Sequence, residues 1–228
     1  MTMSQSEPIF ATVVIEGPER NLLNPEVMAR VGADLLAADA DASVDGIVVT
    51  GAGDAFCGGL DLASIRAGGD PVEFARSLAT LLKIFPRLRK PVVAVVNGDA
   101  VASGGSIVAA CDYGVAAPHV KIGSYEVAVG VWPMVAQVPM IKRLGAKLAM
   151  ENIGCGEPFD ATRALEVGLV NRVEPADKIR GAAEEWLALA ARGGAANAGR
   201  VAFYELAEMT YDDGLDAALS KFAAQFQK

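Results

Sequence analysis

The sequence predicts a mixed α/β fold: a wound core of strands and helices, followed by a largely helical C-terminal part. Three observations carry that prediction. Short runs of apolar, mostly β-branched residues, such as Ile47-Val48-Val49-Thr50 and Val92-Val93-Ala94-Val95-Val96, read as buried strands. Between them lie longer stretches with apolar residues at helical spacing and capping residues at their starts. Beyond about Gly130 the strand-like runs nearly cease while helical patterns continue. The chain has 228 residues, of which 52% are hydrophobic and 21% charged, enough to bury a sizeable core. We place the core in residues 1–175 and a helical extension in residues 176–228.

Taken in order, Pro8 to Glu16 reads as a first strand, and Gly17-Pro18-Glu19-Arg20-Asn21 as a turn. Asn24 caps a helix with Pro25 at its first position and Val27, Val31 and Leu35 on its apolar face. Ile47 to Thr50 is a strand, Gly51 to Gly59 a glycine-rich loop, and Asp61 a cap for a short helix. Asp70-Pro71-Val72-Glu73 starts another helix, faced by Phe74, Leu78, Leu81 and Phe85 and ended by Pro86 and Pro91. Val92 to Val96 is a strand. The small residues Asn97 to Gly105 then turn the chain into a buried helix beginning near Ser106-Ile107. Asp112 to Ala116 is a strand, and Lys121-Ile122-Gly123 a very short one. Trp132-Pro133-Met134 leads into a helix that reaches Leu144 and resumes after Gly145 from Ala146 to Asn152. Further helices span Ala161–Val167, Ala182–Ala191, Ala196–Met209 and Leu215–Phe226, with a late strand at Leu169–Val173.

Several function classes are disfavoured. No apolar run approaches the ~20 residues of a membrane span. The stretch Met1-Thr-Met-Ser-Gln-Ser-Glu-Pro8 lacks the charged and apolar regions of a secretion signal, so a cytoplasmic protein is expected. The three cysteines, Cys57, Cys111 and Cys155, form no C-x-x-C pattern, which fits reduced thiols and no metal site. A net charge of −8 disfavours nucleic acid as a partner. The basic run Lys83 to Lys90 reads as a solvated helix end. The single histidine, His119, is the sole candidate for any mechanism that needs one.

Two glycine-rich loops each follow a buried strand: Phe56-Cys-Gly-Gly-Leu-Asp-Leu62 and Ala102-Ser-Gly-Gly-Ser106. A helix start leaves backbone N–H groups without partners at a positive dipole end. Two such loops converging place two N–H groups on one carbonyl oxygen, which stabilises a developing oxyanion without a metal. Tight packing of a helix on a sheet accounts for the same small residues. Gly51-Ala52-Gly53 follows a strand, as a dinucleotide loop does, but the third glycine position is Phe56. There is no G-x-x-x-x-G-K-[ST].

The combination resembles the crotonase superfamily, the enoyl-CoA hydratase/isomerase family, from about Asn21 to Val173. Asn21-Leu-Leu-Asn24 is similar to its N-x-L-N segment. Val48 to Leu62 resembles its first oxyanion loop, and Asn97 to Asp112 its second, without a gap. Tyr125-Glu126-Val127 with Gly130 is similar to the segment carrying a catalytic carboxylate. Asp160 to Asn171 resembles its A-x-x-A-x-x-x-G-L-V stretch. The resemblance implies a crotonase-like spiral of ββα turns, homotrimers or dimers of trimers, and acyl-CoA thioester substrates with no cofactor beyond that coenzyme A. It implies Leu60 and Ser103 as the two N–H donors, or Gly104 if the register shifts by one, and Glu126 as acid/base. Leu23, Gly58, Gly59 and Trp132 are the implied substrate and coenzyme A contacts, with Gly58 at the adenine. The resemblance implies one further segment covering the ligand beyond Phe226-Gln-Lys228, which a neighbouring subunit is expected to supply.

One departure decides the expected reaction. Family hydratases place a glutamate three residues after the second oxyanion residue; here that residue is Ser106. Adding water is best served by two carboxylates, whereas moving a double bond needs one. Isomerisation of a 3-enoyl-CoA to a 2-enoyl-CoA is therefore the expected activity. Hydration, acyl-CoA binding without catalysis, and a serine hydrolase built on Ser103 and His119 are the alternatives.

Overall fold

The computed structural model describes residues 7–226. The leader reading of Met1 to Pro8 falls mostly on residues 1–6, which lie outside the described residues, as do residues 227–228. Strand β1 (Phe10–Ile15) is followed by one turn, α1 (Pro18–Asn21), in which Arg20 and Asn21 take φ values of 59° and 58°. Helix α2 (Pro25–Ala40) starts where expected: the Asn24 side chain accepts from the Val27 N–H at 2.9 Å. Its face of Val27, Val31 and Leu35 is buried. Next come β2 (Gly46–Gly51), the short helix α3 (Leu62–Arg66) capped by Asp61, and α4 (Pro71–Leu82) capped by Asp70. Strand β3 (Val92–Val96) leads through β4 (Ala100–Val101) into α5 (Ser103–Ala110). Then follow β5 (Tyr113–Ala116), β6 (Lys121–Gly123) and α6 (Gln137–Ile153), the last broken at Gly145, where φ is 76°. Strand β7 (Phe159–Asp160), α7 (Ala161–Glu166) and β8 (Arg172–Val173) complete the strand-bearing part. Helices α8 (Ile179–Ala190), α9 (Ala195–Leu206) and α10 (Tyr211–Ala224) end it.

The α/β reading holds. Five strands form one parallel sheet in the order β1-β2-β3-β5-β8, with β4, β6 and β7 in a second, small sheet. Parallel sheets are buried on both faces, and every residue of β3 is buried. Helix α2 packs on β1 and β2, and α8 on β3 and β5. The register pairs Thr50 with Val95, so β2 and β3 end side by side and release their loops at the same sheet edge. In parallel sheets that edge is where ligands bind.

Several boundaries differ from the sequence reading; the last helix, α10, begins at Tyr211 rather than Leu215 and ends at Ala224 rather than Phe226. Leu169–Val170 is not strand: both N–H groups donate to Ala164 O, which closes the end of α7. Helix α8 begins at Ile179 rather than Ala182, because Ile179 is buried and starts its apolar face. The turn at Asn97 to Gly105 contains a two-residue strand, β4, paired with β6 (Ala100 with Ile122, Val101 with Gly123), and α5 already begins at Ser103.

Candidate active site

The two glycine-rich loops are joined along their length. Asn97 Nδ2 donates to Gly51 O at 3.1 Å and Gly53 O at 2.9 Å, and Asn97 Oδ1 accepts from Gly51 N–H. Asp99 O accepts from the N–H groups of Phe56 and Cys57, and Val101 N–H donates to Cys57 O at 3.0 Å. From the other side Asn21, 5% exposed, donates through Nδ2 to Ala52 O and Ala55 O at 2.9 and 2.8 Å. Two asparagines, one before α2 and one after β3, thus hold the first loop in place.

Leu60 sits in a parallel bridge to Leu23. Leu23 N–H donates to Gly59 O at 2.8 Å, and Asp61 N–H donates to Leu23 O at 2.9 Å. Bonding to residues 59 and 61 leaves the Leu60 N–H on the side away from Leu23. Ser103 is the first residue of α5, so its N–H is one that a helix leaves without an internal partner. The loops touch between these two groups. A Cβ added to Gly59, whose φ is 97°, would lie 2.6 Å from Ala102 Cβ and 3.6 Å from Ser103 N. Gly104 lies against the first loop, where a Cβ would come within 2.3 Å of Cys57 O. Ala102, at φ 53° and ψ −123°, takes a strained conformation for a residue with a side chain. That kink ends β4 and starts α5 in a single residue. The structure thereby brings Leu60, Gly59, Ser103 and Gly104 together.

Glu126 opens a short 3₁₀ turn, Glu126–Val129, three residues beyond Gly123. Because Gly123 pairs with Val101, and Gly123 O accepts from Ala102 N–H at 2.8 Å, the start of that segment is fixed beside the start of α5. Glu126 is half-buried. Its Oε2 accepts from Ser124 Oγ at 2.7 Å and from Tyr125 N–H at 2.9 Å. Ser106 is 1% exposed, and its hydroxyl donates to Ala136 O at 2.6 Å, which ties α5 to the start of α6.

The remaining sequence candidates fall in different places. Leu23 is fully buried, with both backbone groups in the bridge to the Leu60 segment; its side chain belongs to the core. Gly58 is half-buried and donates to Arg20 O at 3.0 Å. Trp132 is 43% exposed and lies outside the core; its Nε1 donates to Gln137 Oε1 at 3.0 Å. His119 lies in the exposed turn between β5 and β6 and makes no hydrogen bond to Ser103, which is buried. Cys57 is fully buried, and that burial pushes its thiol up to about 12, so it is an inert apolar filler. Asp61 caps α3: its carboxylate accepts from Ser64 Oγ at 2.5 Å and Ser64 N–H at 2.9 Å, which hold it below the ordinary carboxylate value. Asp112 is an ion-pair partner of Arg200. Among the described residues no group of three or more His, Cys, Asp or Glu is placed to hold a metal ion. A groove of about 720 Å³ between α2 and α4, lined by Met28, Gly32, Leu36, Ser77 and Leu81, contains none of the candidate site residues.

Sequence reasoning missed the supports: Asn97, Ser124 and Asn152. Each is a small polar residue with side-chain bonds to a segment it does not adjoin, or to the carboxylate. For Asn97 a signal was available, an asparagine directly after a buried strand.

The site is thus two glycine-rich loops locked together at one edge of a parallel α/β sheet, with the Glu126 segment fixed beside the start of α5. A family model described as enoyl-CoA hydratase/isomerase matches residues 7–225. A putative enoyl-CoA hydratase of Thermus thermophilus is 36% identical over 187 residues, covering 79% of this chain and 72% of that protein. A crotonyl-CoA hydratase of Syntrophomonas wolfei is 29% identical over 174 residues, covering 74% of this chain and 67% of that one. The crystal structure of an enoyl-CoA hydratase from Mycobacterium smegmatis matches with a TM-score of 0.89 at 27% identity, covering 96% of this chain and 88% of that chain. The chain belongs to the enoyl-CoA hydratase/isomerase family, the crotonase superfamily, and has its fold.

Proposed function

We propose that this protein isomerises 3-enoyl-CoA thioesters to the conjugated 2-enoyl-CoA, with Glu126 carrying the proton. The thioester oxygen accepts from the Leu60 and Ser103 N–H groups, with Gly104 beside them. Glu126 removes a proton from C2. The negative charge spreads onto the thioester oxygen, where each donor of this kind is worth about 3 kcal/mol. The same carboxyl returns the proton to C4, the double bond moves from C3–C4 to C2–C3, and no atom is gained or lost. Gly58 and Gly59 serve the coenzyme A part, Leu23 supports that strand through its backbone, and Trp132 walls the acyl side. Binding of the remote coenzyme A part holds C2 at the base. The reaction needs no cofactor beyond the coenzyme A of the substrate.

One observation carries the preference for isomerisation. Where hydration wants a second carboxylate stands Ser106, its hydroxyl already donated to Ala136 O. A neutral serine is no base at ordinary pH, and this one has no free proton to offer. The test uses two substrates. Incubation with a 3-enoyl-CoA is expected to raise the absorbance of a conjugated thioester at unchanged mass. A gain of one water by a 2-enoyl-CoA at comparable rate would establish hydration instead, in line with the names of the relatives. Tight binding with conversion of neither would favour a non-catalytic acyl-CoA-binding protein.

A homotrimer, or a dimer of trimers, is part of the same reading. Helix α10 has no buried residue; Leu215, Leu219 and Phe222 recur along it at helical spacing, with Phe226 just past its end, and all four are exposed. A second copy of the chain covering that stripe removes it from water. The cytoplasm is the proposed location, supported by three cysteines that are all free. Among the described residues no helix is long and apolar enough to cross a membrane.

A further inference from the structure

Glu126 is aimed by a buried chain of polar contacts that starts on another element. Asn152, fully buried near the end of α6, accepts the Ser124 N–H on Oδ1 at 2.6 Å. It donates through Nδ2 to Ser124 O at 2.9 Å and to Glu157 O at 2.7 Å. Both backbone groups of Ser124 are thus fixed by one side chain. Gly123 makes this approach possible: at φ 137°, a Cβ there would lie 2.5 Å from Asn152 Oδ1. Ser124 is 5% exposed, and its hydroxyl donates to Glu126 Oε2 at 2.7 Å. Tyr125 N–H donates to the same oxygen at 2.9 Å.

We propose that Ser124, held by Asn152, is the positioning residue for Glu126, and that Oε1 is the oxygen that takes and returns the substrate proton. The asymmetry of the bonds supports this assignment. Oε2 carries two donors, and Oε1 accepts from no protein group among the described residues. A carboxylate gripped by one oxygen keeps its other oxygen at a fixed place, and misplacing a reacting group by about 1 Å costs roughly 100-fold in rate. The hydroxyl touches neither substrate nor reacting atoms, and it acts through the carboxylate alone.

The proposal rests on Glu126 being the base, so the experiment separates the two claims. A saturated acyl-CoA, butanoyl-CoA, is incubated with the enzyme in D2O and its mass followed. The base removes an α-hydrogen as a proton, exchanges it with solvent and returns a deuteron, whether the enzyme isomerises or hydrates. Exchange by wild type that is lost in Glu126→Gln supports the base. Exchange that persists in Glu126→Gln, or is absent from wild type, overturns that reading and this proposal with it. Given the base, Ser124→Ala is expected to lower the exchange kcat about tenfold with KM within about twofold. Ser124→Thr, which keeps the hydroxyl, is expected within about threefold of wild type, and Ser124→Ala added to Glu126→Gln is expected to change nothing further. A Ser124→Ala kcat within about twofold of wild type, or equal losses from Ala and Thr, overturns the positioning role while leaving the base intact. Where Ser124→Ala does not fold, Ser124→Cys, close in size and a poor donor, carries the same prediction.

Discussion

Ser106 and Glu126 divide the polar work of the site unequally. The Ser106 hydroxyl holds Ala136 O and faces the protein; the Glu126 carboxylate is gripped at one oxygen, and the other accepts from no group among the described residues. Ser106→Ala is therefore expected to cost about 1–2 kcal/mol of stability, the price of leaving Ala136 O without its donor, and to leave isomerisation within about twofold. Urea unfolding and a rate assay check both halves. The type and position of these two residues were legible in the sequence, because Ser106 stands three residues after Ser103 and Glu126 lies in the segment Tyr125-Glu126-Val127 with Gly130. Their bonding was not. Whether a serine hydroxyl faces substrate or a carbonyl 30 residues away is decided by packing, and the Asn152–Ser124 contact spans 28 residues.

Helix ends show which elements a sequence can place. The caps Asn24, Asp61, Asp70 and Asp160 all bond within three residues of themselves, so local pattern alone predicts a helix start. Strands β4 and β7 have two residues each, too few for any periodicity, and exist through their pairing with β6. Two predictions belong to this scale. Asp61 is held below the ordinary carboxylate value of 3.8, first by the Ser64 hydroxyl and then by the Ser64 N–H. A depressed folded value means that this stabilisation is complete above the unfolded value and disappears as pH falls through the folded one. Asp61→Asn is expected to flatten the loss of stability below about pH 4, measured by urea midpoints across the acid range. The second concerns α9. Arg200, 7% exposed, forms a two-pronged pair with Asp112 at 2.7 and 2.8 Å and donates to Phe85 O and Leu88 O. Tyr204 adds a bond to Asp112, and its burial beside that carboxylate pushes the phenol up to about 12. Arg200→Ala leaves a largely buried carboxylate unpaired and is expected to cost about 3–5 kcal/mol in urea unfolding. No local pattern announces a pair separated by 88 residues.

In the whole molecule, the parallel sheet sets β2 and β3 side by side, and everything at the site follows from that adjacency. The α/β class and the positions of the two loops were legible because buried parallel strands read as continuous apolar runs. The spiral arrangement entered through family resemblance, since winding depends on which strand lies beside which. Helix α10 buries none of its residues: Leu219 and Phe222 are 68% and 58% exposed. The paired variant Leu219→Glu/Phe222→Glu is expected to convert a trimer or hexamer into smaller particles in sedimentation while α2–α8 stay folded. A wild-type monomer at micromolar concentration would contradict the assembly.

In the proposed reaction Glu126 alone moves the proton, beside the Leu60 and Ser103 N–H groups. The most direct measurement is the rate of 3-hexenoyl-CoA isomerisation by wild type and Glu126→Gln, with binding of the substrate followed alongside. A loss of about 100-fold or more in kcat with binding retained is the predicted result. A Glu126→Gln enzyme that isomerises at the wild-type rate would contradict it.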